Sequence, residues 1–196
     1  GVAGANGKVA KVVKSATAEL WAGTTVSTGP NNSIATLPFS ATAKTMTLRV
    51  YTPAAGIPVR LKVEDAADGT RSVETEALTT VANGWETLTF NFANPAAGTA
   101  ALNLAFTYNK ASVFFNFGKT GAAGGAGTYY FDELNFVSGT GGGGGGTGVA
   151  GLPITFDDAA TTYTLAGFGG AEDSTVVSGV AGANGKVAKV VKSATA

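Results

Sequence analysis

Apolar and polar residues alternate along most of this chain. Met46, Leu48 and Val50 interleave with Thr47, Arg49 and Tyr51, and Val59, Leu61 and Val63 with Arg60, Lys62 and Glu64. Leu88, Phe90 and Phe92 form a third such face, Val113, Phe115 and Phe117 a fourth, and Tyr130, Asp132, Leu134 and Phe136 a fifth. Successive side chains of a strand point to opposite faces, so this period of two predicts half-buried strands. Shorter signals at Val9 with Val12 and Val13, Leu20 with Ala22, Leu102–Tyr108 and Ile154–Phe156 extend the set. Helical spacing of apolar residues is nearly absent. Turn residues punctuate the runs at Gly29-Pro30-Asn31-Asn32, Pro53–Gly56, Asp68-Gly69, Asn83-Gly84, Asn94-Pro95 and Gly121–Gly127. Roughly eight to ten short strands of this kind predict an all-β fold, an antiparallel two-sheet jelly-roll β-sandwich.

Residues 1–18 read GVAGANGKVAKVVKSATA, and residues 179–196 repeat them letter for letter at an offset of 178. Two origins fit. Either the sequence belongs to an array of near-identical modules of that period, or part of a domain has been permuted or duplicated by design. A start inside a strand-like segment favours the array. The natural module then runs from about Leu152, through the repeat, to Val137. Residues 138–151, SGTGGGGGGTGVAG, have few side chains to bury and read as a flexible linker. A phosphate loop is disfavoured because no Lys-Ser/Thr follows the glycines. In this frame residues 1–137 form a sandwich module lacking its opening strands, and residues 152–196 are the opening strands of the next repeat. Those strands either fold back or complete another chain, so head-to-tail strand exchange is expected to be accessible.

Composition narrows the chemistry. Among 196 residues there is no Cys and no His, which removes thiol nucleophiles, disulfides, thiolate zinc sites and Ser-His-Asp catalysis. Thirteen basic and thirteen acidic residues give a net charge of zero, with no footprint for nucleic acid. No apolar run is long enough for a membrane span. The carboxylate groupings Glu64-Asp65, Glu74 with Glu76, and Asp157-Asp158 lack a recognisable catalytic setting, and adjacent strand residues point to opposite faces. The expectation is a protein that is not an enzyme.

Three stretches carry a resemblance: the opening F-D-D at Phe156–Asp158, the W-x-x-L-x-F-x-F strand at Trp85–Phe92, and the closing Y-Y-F-D-E-L at Tyr129–Leu134. Taken from Leu152 through the repeat, the period resembles the carbohydrate-binding β-sandwich modules of secreted polysaccharide-degrading enzymes and large bacterial surface proteins, within the broad galactose-binding-like superfamily. The resemblance implies a structural calcium ion held by Asp132 and Asp157, with Asp158 beside them, and secretion or display at the cell surface. It also implies a glycan as ligand. Trp21, Arg49, Tyr51 and Tyr108 are the candidates for a sugar-binding face: Trp21 and Tyr51 fall out of phase with their apolar neighbours, and Tyr108-Asn109-Lys110 reads as a loop tip. The leading expectation is a non-catalytic tandem module of an extracellular adhesin or filament, partnered by identical modules, with weak glycan binding made useful by many copies. A carbohydrate-binding module that targets a secreted enzyme to a polysaccharide is the alternative, and a purely structural filament subunit a third.

Overall fold

The structure, a computed structural model, describes residues 7–138 and 149–178. The second copy of the duplication, 179–196, and the glycine-rich heart of the linker, 139–148, lie outside the described residues. Among the described residues ten strands build two antiparallel five-stranded sheets, a β-sandwich. They are β1 (Val9–Lys14), β2 (Gly23–Ser27), β3 (Thr45–Thr52), β4 (Pro58–Asp65), β5 (Asp68–Leu78), β6 (Gly84–Asn91), β7 (Lys110–Phe115), β8 (Gly127–Val137), β9 (Thr164–Phe168) and β10 (Thr175–Val177). One sheet runs β10-β1-β8-β3-β6 and the other β5-β4-β7-β2-β9. The chain crosses between sheets at nearly every connection, as in a jelly roll, and among the described residues β4–β5 is the one direct hairpin. Among the described residues no helix is long and apolar enough to cross a membrane.

The alternation in sequence becomes the two inner faces. Met46, Leu48 and Val50 of β3 and, in the opposite sheet, Val59, Leu61 and Val63 of β4 are fully buried, as are Ala111, Val113 and Phe115 of β7 beside β4. Phe115 stacks on Tyr129 across the sandwich at 4.8 Å between centroids. Phe39 meets Phe92, Tyr108 and Phe136 edge-on, which closes one side of the core.

Several strand expectations shift. On β8 the inward set is Tyr129, Phe131, Leu134 and Phe136, with Tyr130 facing outward. An extra residue at Asp132-Glu133, where the register against β3 slips and Glu133 has φ 51°, flips the phase. Phe117 lies beyond β7, because Asn116 at φ 50° turns the chain. Leu102–Tyr108 is a loop whose Leu104 and Phe106 remain exposed. The Leu20–Ala22 signal is a turn leading into β2, a short polar interior strand that alternation does not reveal. The β4–β5 hairpin turns at Ala66-Ala67, ahead of Asp68-Gly69, with the Asp65 carboxylate accepting the N–H of Ala67. Ile154–Phe156 contributes one bridge, Ile154 to Leu134, before Phe156 at φ 60° redirects the backbone.

The segment after the linker completes this sandwich. β9 adds to β2 from Gly23↔Phe168 to Ser27↔Thr164, and β10 adds to β1. Leu152, Ile154, Phe156 and Ala171 belong to the same core as β3 and β8. Phe156 meets Phe131 at 5.6 Å and Tyr163 at 5.3 Å.

Candidate functional site

Two places concentrate unusual chemistry. The first is the seam filled by β1. This strand is interior: Ala10 to Lys14 pair with β8, and Val9 to Lys11 pair with Val177 to Thr175 of β10. Ala10, Val12 and Lys14 face the core. The Lys14 ammonium is buried and donates to the carbonyl oxygens of Asn116 (3.0 Å) and Lys119 (2.7 Å). Burial pushes its pKa below the ordinary lysine value. At the other end the backbone N–H of Lys8 donates to Asp157 Oδ1 at 2.7 Å. Gly7 sits there at φ 80°, and a Cβ would collide with that carboxylate. The entry of β1 is thus latched by a residue from beyond the linker.

Asp132 lies behind this latch. It is 1% exposed, and its Oδ1 accepts the N–H of Glu133 at 2.8 Å. Desolvation, reinforced by the charges of Glu133 and Asp157 and opposed by that hydrogen bond and by Arg49, pushes its pKa up to about 7. Of the three acidic residues expected at a calcium site, Asp132 and Asp157 are therefore neighbours. Asp158 turns onto its own loop, accepting from the Ala160 N–H (2.9 Å) and the Thr161 hydroxyl (2.6 Å). Calcium takes roughly six to eight oxygens. Among the described residues no group of three acidic side chains converges, so backbone carbonyls would have to supply most of such a shell.

The second place is a groove of about 530 Å³ on the outer face of the β5-β4-β7-β2-β9 sheet. Its apolar half is a run of rings. Trp21, 48% exposed, stacks on Phe168 at 6.1 Å and 20°, Phe168 meets Phe114 at 5.6 Å, and Phe114 meets Phe117 at 5.7 Å. The guanidinium of Arg60 lies 3.6 Å over Phe117 and bonds Glu74 and Glu76. The polar half is Lys62, Glu64 and Lys110, with Thr25 and Ser112 joined by a 2.8 Å hydroxyl contact. Burial works against the Glu64 charge, yet hydrogen bonds from Lys110 and Lys62 outweigh it and hold its pKa below the ordinary value. The carboxylates of Glu64, Glu74 and Glu76 are all ion-paired, so the face offers fixed hydrogen-bonding groups beside flat rings.

The four residues expected on a sugar-binding face fall in three places. Trp21 is in the groove. Arg49 and Tyr51 sit on the outer face of the opposite sheet, Arg49 at 4.7 Å over Trp85 and Tyr51 packed edge-on to Trp85 and Tyr130. Tyr108 is not at a loop tip: it is core, 1% exposed, because the preceding loop folds over it and its hydroxyl accepts the Asn103 N–H at 3.1 Å. The ring run escapes the sequence reading because Phe117 falls in phase with Val113 and Phe115, and Phe168 lies in a stretch without strand alternation. Phe114, out of phase between Val113 and Phe115, was the available signal.

No protein-family model matches the chain, and no curated protein matches it either.

Proposed function

We propose that the chain is a non-catalytic repeat module of an extracellular bacterial adhesin or surface filament, joined head to tail by exchange of the segment that carries β9 and β10. The observation that carries this reading is topological. Both sheets are completed by strands lying beyond a glycine-rich linker, and the strand that pairs with β10 recurs in the sequence directly after β10. In a tandem array each sandwich body then has one such segment before it and another after it, so a linker crossing ties neighbours together. Low charge and the absence of Cys and His suit a reach-giving surface scaffold rather than a reactive one. Mixing donor- and acceptor-labelled chains tests it. Energy transfer that grows with protein concentration and incubation time is expected, whereas its absence at every concentration contradicts the exchange.

The groove favours a second reading, a carbohydrate-binding module. Stacked rings beside fixed charged and hydroxyl groups suit a sugar, whose faces are apolar and whose rim is hydroxylated. This reading requires measurable glycan affinity from a single chain, lost on Trp21→Ala. Calcium belongs to either reading as a stabiliser of the Asp132–Asp157 junction, and a chelator-dependent loss of thermal stability is its test.

A further inference from the structure

We propose that the slot occupied by β1 has a second occupant within the same chain, residues 187–192, so that the two copies of the duplicated strand compete for one place in one sandwich. The inference concerns a single chain and holds whether or not chains assemble.

Identity comes first. Residues 185–196 match 7–18, so the copy carries the counterpart of every group through which β1 is held: Gly185 and Lys186 for the glycine and lysine amide at the Asp157 latch, Ala188 and Val190 for the core-facing Ala10 and Val12, and Lys192 for the lysine on the Asn116 and Lys119 carbonyls. Connectivity comes second. β1 runs antiparallel to β10, with Val9 opposite Val177. A chain that leaves β10 and turns back enters the slot in that same direction, and Val187, the equivalent of Val9, arrives after residues 178–186. That connection contains three glycines and closes a hairpin at modest entropic cost. Need comes third. The slot lies between β8 and β10, so emptying it bares two strand edges and the core face of the sheet at once. One slot and two matching strands leave one strand over in either arrangement, and the spare is a ready donor of the same edge pairing.

Substitution of Val12 and of its sequence counterpart Val190 separates the possibilities. Val12 is 1% exposed, and a carboxylate there would eject whichever strand carries it. At concentrations where the chain is monomeric, Val12→Asp alone and Val190→Asp alone are expected to melt within about 3 °C of the parent, and the double variant at least about 10 °C lower. Such non-additivity is the signature of redundancy. A Val12→Asp chain as unstable as the double variant overturns the proposal, and so does a double variant as stable as either single. A covalent readout is available because the chain has no Cys. Lys11 is opposite Thr175, so Lys189 takes that position in the alternative arrangement. In a Val12→Asp background, a Thr175→Cys/Lys189→Cys pair is expected to cross-link within the monomer, and failure to do so counts against the exchange.

Discussion

Phe156 is a fully buried ring by which the segment beyond the linker packs on the sandwich, and truncating it measures that packing. Its ring is fully buried, against Phe131 of β8 and Tyr163 of its own segment. Phe156→Ala removes the ring from a core that contains residues of both sheets, so collapse around the gap is restricted. Fully buried Phe→Ala changes cost about 3–5 kcal/mol, transfer and cavity together. Ala at the same φ of 60° keeps the backbone strain, so no relief offsets the loss. For a chain of this length, that range lowers Tm by roughly 6–20 °C. Thermal unfolding followed by near-ultraviolet circular dichroism, which reports the packed rings, is the assay. A change smaller than about 1 kcal/mol would mean that residues 152–178 do not pack on this body, and the completed sandwich would be refuted.

Three other outcomes follow from the same geometry. The buried Asp132 carboxyl, with its pKa pushed up to about 7 from 3.8, holds its proton in the folded chain where the unfolded chain has lost it. Stability measured in chelator therefore falls as pH rises from about 4 to 7, by on the order of 4 kcal/mol at most, and Asp132→Asn flattens the profile; an unchanged profile in the variant refutes the assignment. Gly167→Ala forces a Cβ into the carbonyl of Ala171 on the tight β9 turn, so urea unfolding should show a loss of at least about 2 kcal/mol. Trp21→Ala, on a half-exposed ring, should cost less than about 1 kcal/mol in stability while abolishing any retardation of the chain in polysaccharide-containing gels.

The sandwich was legible in the sequence because alternation at Met46–Tyr51, Val59–Glu64 and Leu88–Phe92 is dictated by one buried face per sheet. What escaped was local. β2 is interior and polar, Gly-Thr-Thr-Val-Ser, and its Thr25 satisfies itself on Ser112, so it gives no hydrophobic signature. The bulge at Asp132-Glu133 reverses the phase of β8 through backbone geometry that no side-chain pattern announces. Tyr108 was misplaced because its Tyr-Asn-Lys context suggested a tip, whereas the chain there is pinned by Leu37 and Ile34, whose N–H groups donate to the carbonyls of Tyr108 and Asn109. The duplication marked the seam from the outset. Only the pairing of β1 with β10 shows that the slot of the first copy adjoins the strand that precedes the second copy in the sequence.

The exchange of strands between modules is tested most directly by absolute mass. Light scattering across a wide concentration series, with negative-stain imaging of the same samples in calcium and in chelator, reads assembly without labels. A ladder of integer multiples of the chain mass, growing with concentration and seen as strings of beads, is the predicted result. A single species of one chain mass at every concentration, in both conditions, would contradict head-to-tail assembly.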